Sequence, residues 1–191
     1  EARREEVMGW ITREIGGTQV KAALEVQLVL GVLRGAAALP FMVEGRILPE
    51  DIPGKESRAY RKPIGVVALI SPWNFPLQLT ARTLAPALAI GNGVVLKPAS
   101  DSIVTGGTIF AKLLEEAGFP EGLVSVLPGG GSDVGTALIE HEIPQLVSFT
   151  GSTPVGRGIA ETVAKSKIMK PLELELGGNG PIVVLDDADI E

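Results

Sequence analysis

Residues 65–76 read Gly65-Val66-Val67-Ala68-Leu69-Ile70-Ser71-Pro72-Trp73-Asn74-Phe75-Pro76. Gly65 to Ile70 is an uninterrupted apolar run, the pattern of a parallel strand covered on both faces. The segment Ser71–Pro76 breaks it, because proline cannot donate to a ladder. An apolar helix is expected directly afterwards, from about Leu77 to Ile90, bent at Pro86 and stopped by Gly91-Asn92-Gly93. A buried strand turning sharply into a helix is the repeating unit of an α/β sheet.

Toward the C-terminus the unit recurs. Val94–Leu96 reads as a strand, Ser102–Ala117 as a helix stopped by Gly118, and Leu123–Leu127 as a strand. A helix is expected over about Ser132–Glu140, a strand over Gln145–Phe149 and a helix over Thr153–Ala164. Extended pieces are expected at Ile168–Leu176 and Pro181–Leu185. The fold class is therefore α/β: a doubly wound, mostly parallel, Rossmann-like sheet with right-handed crossovers, binding ligands at the carboxyl ends of its strands. Toward the N-terminus, Val7, Met8, Ile11 and Ile15, then Ala23, Val26, Leu28, Leu30, Leu33 and Ala37, have helical spacing broken at Gly16-Gly17. Two amphipathic helices are predicted there. Phe41–Lys62 reads as a linker or hairpin at the domain edge.

Composition narrows the function. A chain of 191 residues, 45% hydrophobic and 21% charged, suits one domain with a sizeable core and carries no disorder signature. A formal charge of -6 with a pI near 5.0 argues against nucleic acid, which selects basic surfaces. Arg34 interrupts the apolar segment Leu28–Met42 and no secretory signal opens the chain, so no membrane partner and a cytoplasmic location are expected. There is no cysteine, hence no disulfide and no thiol nucleophile within these residues. No acidic or histidine cluster has metal-ligand spacing, and no Ser-His arrangement suggests a hydrolase. His141, between Glu140 and Glu142, reads as part of a solvated loop.

Two glycine-rich turns sit at strand ends. Gly129-Gly130-Gly131-Ser132-Asp133-Val134-Gly135 fails G-x-G-x-x-G at Val134, and Gly151-Ser152-Thr153-Pro154-Val155-Gly156-Arg157-Gly158 has P-loop glycine spacing with Arg157 and Gly158 in place of the lysine and hydroxyl residue. A nucleotide triphosphatase is excluded. Helix N-termini can still hold a phosphate at each turn. Either turn alone is equally well read as ordinary capping; on strands taken to be adjacent, the pair favours phosphate binding.

Pro63-Ile64-Gly65-Val66-Val67 leading into Ser71–Pro76, Gly91-Asn92 before Leu96-Lys97-Pro98-Ala99-Ser100, Phe149-Thr150-Gly151-Ser152-Thr153, and Leu174-Glu175-Leu176-Gly177-Gly178-Asn179 resemble, in order, the signatures of the aldehyde dehydrogenase family. The resemblance implies an NAD(P)-dependent oxidation of an aldehyde to a carboxylic acid. In such enzymes a cysteine thiolate forms a thiohemiacetal, hydride passes to the nicotinamide, and the thioester is hydrolysed.

The resemblance gives roles to particular residues. Asn74 becomes the oxyanion donor; by its residues alone, an Asn between prolines reads as bonding its own turn. Lys97 corresponds to the lysine that bonds the adenosine ribose, against the ordinary reading of a solvated strand-end charge. Ser100 stands where NAD-preferring relatives often have a glutamate, so both NAD and NADP are expected to bind. Gly151 and Ser152 correspond to the pyrophosphate contact, and Gly131 and Gly135 to the preceding turn. Ile70, Ser71, Trp73, Phe149 and Leu176 complete the expected cofactor site, with core packing an equal account of Trp73.

Glu175 corresponds to the general base, which activates the thiol or the deacylating water. The alternation Leu172–Leu176 puts Glu173 and Glu175 on one face, which alone reads as a solvated strand face. As a base near neutral pH, Glu175 would need its pKa raised by burial.

The expected organisation is 1–42, N-terminal helices of the cofactor-binding domain; 43–62, a β segment at an oligomer interface; and 63–191, the NAD(P)-binding domain. The chain starts inside a helical pattern, and 16 residues follow Glu175, whereas the family cysteine lies a few tens of residues further on. The expectation is therefore the cofactor-binding part of a homodimeric or homotetrameric enzyme, inactive alone. A non-catalytic NAD(P)-binding module is the alternative. Motifs around Ser71, Lys97 and Gly178 are similar to benzaldehyde and vanillin dehydrogenases, which implies an aromatic aldehyde as substrate.

Overall fold

The structure, a computed structural model, describes residues 1–189, so the last two positions of the expected 63–191 unit lie outside the described residues. The predicted N-terminal helices form as α1 (Arg4–Ile15) and α2 (Gln19–Ala38), broken at Gly16-Gly17. Thr18 caps α2 by accepting the Lys21 N–H at 3.2 Å. β1 (Arg46–Leu48) and β2 (Ser57–Ala59) pair antiparallel as a separate two-stranded hairpin.

The main sheet has five parallel strands: β3 (Val66–Ile70), β4 (Gly93–Lys97), β5 (Val124–Val126), β6 (Pro144–Thr150) and β7 (Leu172–Glu175), in the order β5-β4-β3-β6-β7. Strands are added to one side of β3 and then to the other, which makes it doubly wound, with the switch point between β3 and β6. The connections are α3 (Pro76–Ala89), α4 (Ile109–Glu116), α5 (Thr136–Glu140) and α6 (Thr153–Lys165). α4 and α5 are each preceded by a wide helical turn, at Val104–Thr108 and Gly131–Gly135.

Strand alternation divides the core into two layers. Val67, Leu69, Val94 and Leu96 face α1, α2, α3 and α4, packing with Ile11, Val26, Leu77, Leu84 and Phe110. Ala68, Ile70, Val147 and Phe149 face α5 and α6, packing with Leu138, Ile139, Ile159 and Val163. Both faces of β3 are thus covered, as its unbroken apolar run requires. Glu14 of α1 accepts the N–H groups of Val104 and Thr105, each at 2.7 Å, and the Thr105 hydroxyl at 2.6 Å. A carboxylate from the N-terminal helices thereby satisfies the donors at the start of the helical turn before α4.

Three expectations change. Ile182-Val183-Val184-Leu185 has strong β character, yet Pro181–Leu185 forms no strand and its large side chains are exposed. β propensity has no effect without a ladder partner, and among the described residues nothing pairs with it. The two glycine-rich turns follow β5 and β6, which are not adjacent; β4 and β3 separate them, by about three strand spacings or ~14 Å. One phosphate cannot bridge them.

The buried face of α2 is Ala22, Glu25, Val26, Val29 and Ala36, while Leu28 and Leu33 of the expected stripe are exposed. The helix is apolar on nearly every side, so periodicity alone could not choose the face. By length and composition, residues 19–41 are also apolar enough to cross a membrane despite Arg34; here α2 packs on the layer containing Leu77, Ala81 and Leu84 of α3.

Candidate active site

The residues singled out by sequence gather along the carboxyl edge of the main sheet. β3 ends at Ile70, paired in register with Lys97 on one side and Phe149 on the other. The Ser71 N–H continues this pairing by donating to the Lys97 carbonyl at 3.2 Å. On the far side of β6, the Gly151 N–H donates to the Glu175 carbonyl at 3.0 Å. The backbone thus carries four strand ends into one continuous rim.

On the β4–β5 side, Lys97 is only 4% exposed, and its Nζ donates to the Pro98 carbonyl at 3.0 Å. Burial holds its pKa below the ordinary lysine value, with the charge of Asp133 pulling the other way. The solvated strand-end reading is therefore wrong for Lys97. Gly135 stands over its stem: a Cβ there would lie 3.6 Å from Lys97 Cδ. Ser100 is exposed and donates to the Gly129 carbonyl at 3.4 Å, joining the turn after β4 to the glycine-rich turn after β5. Gly131 is exposed at the start of that turn. The Asp133 carboxylate accepts the Val134 N–H at 2.7 Å, so one backbone donor of the turn is engaged within the turn itself.

At the centre, Ser71 is 3% exposed and its Oγ has no hydrogen-bond partner among the described residues. Trp73 is 57% exposed, which excludes core packing as its explanation. Asn74 is exposed, and its amide makes no hydrogen bond among the described residues. It does not hold the turn, so both N–H donors are available to a ligand.

Ile70 at the end of β3 and Phe149 of β6 belong to the buried layer under α5 and α6. A Cβ at Gly151 would lie 2.4 Å from the Phe149 ring, so a larger residue there would have to displace the ring. Ser152 leads into α6 with no side-chain cap and with proline in the first turn, leaving backbone donors of that terminus outward. Leu176 packs over α6, 2.4 Å from where a Cβ at Gly156 would be. The Glu175 side chain is 70% exposed, and Arg82 of α3 lies 3.8 Å away. The burial that a base near neutral pH requires is not provided by the described residues.

Sequence reasoning missed Arg82 and, behind the turn, Lys21 and Glu25 of α2. Arg82 carries no signal by sequence, because its nearness to Glu175 depends on α3 crossing toward β7. Glu25 did carry one: it is a carboxylate on the same helical face as Ala22 and Val29. Lys170, also unassigned, is buried and donates to the Ile139 carbonyl at 2.7 Å and to that of His141, closing the end of α5.

The chain is similar to known proteins in sequence and in fold. The sequence profile of the aldehyde dehydrogenase family matches residues 1–191. The chain is 53% identical over its full length to a vanillin dehydrogenase of Corynebacterium glutamicum, covering 40% of it, and 49% identical to a benzaldehyde dehydrogenase of Bacillus subtilis, covering 39%. The crystal structure of an NAD-dependent benzaldehyde dehydrogenase from Corynebacterium glutamicum superposes on 99% of the chain and 41% of that protein, with a TM-score of 0.91 at 53% identity. The chain spans about two fifths of the length of these relatives. A family match over residues 1–191, together with a fold match over 99% of the chain, places the chain in the aldehyde dehydrogenase family.

Proposed function

We propose that this chain is the cofactor-binding part of an NAD(P)-dependent aldehyde dehydrogenase that oxidises aromatic aldehydes to carboxylic acids. The observation that carries the reading is the rim itself: a buried lysine, a buried unpartnered serine hydroxyl and an exposed, unbonded asparagine amide on three neighbouring features of one sheet edge. A buried polar group without a partner costs about 1–3 kcal/mol, a cost that a bound ligand at this rim would relieve for the Ser71 hydroxyl. The bound nicotinamide supplies a hydride acceptor.

In this reading Lys97, Ser100, Gly131 and Gly135 hold the adenosine end, and Ser71 and Trp73 line the path to the reacting end together with the backbone of Ile70 and Phe149. Gly151, Ser152 and Leu176 offer the start of α6 to the pyrophosphate. Asn74 donates to the developing oxyanion and Glu175 accepts a proton. The 191 residues contain no cysteine, so the thiol nucleophile comes from outside them. Residues 43–62, whose Ile47 and Tyr60 are 72% and 71% exposed, are assigned to subunit contact in a homodimer or homotetramer.

Two measurements on the full-length enzyme test this. Lys97→Met should weaken NAD binding by about tenfold to a hundredfold, the value of hydrogen bonds to a charged donor, with the aldehyde KM unchanged. In the same titrations NADP should bind beside NAD, because Ser100 presents no carboxylate to repel a 2'-phosphate; binding of NAD alone would remove Ser100 from that role. Benzaldehyde should exceed acetaldehyde in kcat/KM by at least about tenfold, as the burial of an aromatic ring allows. Equal values would remove the aromatic assignment and leave the cofactor site standing.

A further inference from the structure

Glu25 is 0% exposed on α2, whose other buried residues, Ala22, Val26, Val29 and Ala36, are all apolar. Its Oε1 accepts the Gln78 N–H at 3.1 Å, and its other oxygen is paired with Lys21 Nζ. Lys21 Nζ also lies 4.5 Å from the centroid of the Phe75 ring. Phe75 is the cap residue of α3 and provides no side-chain cap, and Pro76 behind it has no N–H. The free donor in that first turn is therefore satisfied from another helix. Both contacts of the pair converge on one short segment, Phe75–Gln78, which follows directly on Asn74 in the chain.

Stability does not explain a buried charge here. Desolvating a carboxylate costs several kcal/mol, and apolar replacements of buried ion pairs are often neutral or stabilising. What the pair supplies is geometry: a carboxylate fixes the axis of α3 at its first turn, and the ammonium fixes the ring beside Asn74. Resting on the oxyanion role proposed for Asn74, we infer that Glu25 and Lys21 are positioning residues that set where the Asn74 amide points. They touch no reacting atom and act through the turn.

The test uses the full-length enzyme and a double-mutant cycle. Glu25→Leu should lower kcat by about tenfold to a hundredfold, the range expected when a donor is misplaced by a fraction of an ångström, with aldehyde and cofactor KM within about twofold. In an Asn74→Ala background the same substitution should change kcat by less than about twofold. The conservative variant Glu25→Gln keeps an acceptor for Gln78 and should recover most of the loss. Lys21→Met combined with Glu25→Leu replaces the whole pair with apolar groups; it should keep the thermal midpoint near the parent value and still show the loss in kcat.

An equal loss in both backgrounds, or a loss that follows the thermal midpoint, overturns the inference by showing a merely structural pair. If Asn74→Ala leaves kcat unchanged, the oxyanion role falls first and the positioning role with it, an outcome distinct from failure of the cycle alone.

Discussion

Replacing Asn74 with alanine in the full-length enzyme should lower kcat by about 10²–10³-fold, equivalent to roughly 2.7–4 kcal/mol of transition-state stabilisation, as the oxyanion role proposed for it requires. Three features of the structure set this size. The turn emerges from β3, the strand beside the switch point of the sheet, where ligands bind. Its amide makes no bond to the turn among the described residues, so no donor is consumed locally. The backbone on both sides is stiff, with Pro72 before it and Pro76 opening α3, so little reorganisation is needed when charge develops.

The alternative is that Asn74 only shapes the turn, and the two accounts separate cleanly. A turn-holding residue would show its loss as a lowered thermal midpoint. An oxyanion donor lowers kcat and kcat/KM together while stability changes by no more than about 0.5 kcal/mol, as for an exposed side chain without partners. A kcat within about threefold of the parent enzyme would remove Asn74 from catalysis.

The sheet was legible because its central strands are covered on both faces. Val66–Ile70 can be nothing but apolar there, and the glycines and prolines at its ends mark the turns. Strand order was not legible: nothing local in Gly129–Gly135 or Gly151–Gly158 says that β4 and β3 lie between them. That follows from which face each crossover helix takes. Pro181–Leu185 misled for the opposite reason, since its composition states a preference that only a neighbouring strand can realise. On α2, periodicity selected Leu28 and Leu33, whereas packing selected Ala22 and Glu25. A helix apolar all round leaves its orientation to tertiary contacts.

The candidate site divides along the same line. Its residue types were readable from motifs, and the state of each was not. Lys97 looked like a surface charge and is buried; Trp73 could have been core and is exposed. Whether a side chain is solvated depends on what crosses it from distant sequence, as Gly135 crosses Lys97.

Glu175→Gln should give the second large effect, a fall in steady-state turnover of about 10²–10⁴-fold, the usual contribution of a positioned general base, which is the role proposed for it. Glutamine keeps the size and an acceptor oxygen but cannot take up a proton. The exposed position of Glu175 bears on how this loss should be read. Its carboxylate is 70% exposed and Arg82 is 3.8 Å distant with 43% of its own side chain exposed, an arrangement worth at most about 1 kcal/mol. That ion pair cannot be what the substitution removes. A surface carboxylate with no further role would change turnover by less than about twofold when neutralised, and this outcome would return Glu175 to the solvated strand face that it shares with Glu173. A large loss requires that the carboxylate be covered during the reaction. Pre-steady-state kinetics then locates the step. If Glu175 serves the deacylating water, a first equivalent of reduced cofactor still forms rapidly in the Gln variant and only later turnovers slow. If it activates the thiol, the rapid phase disappears as well.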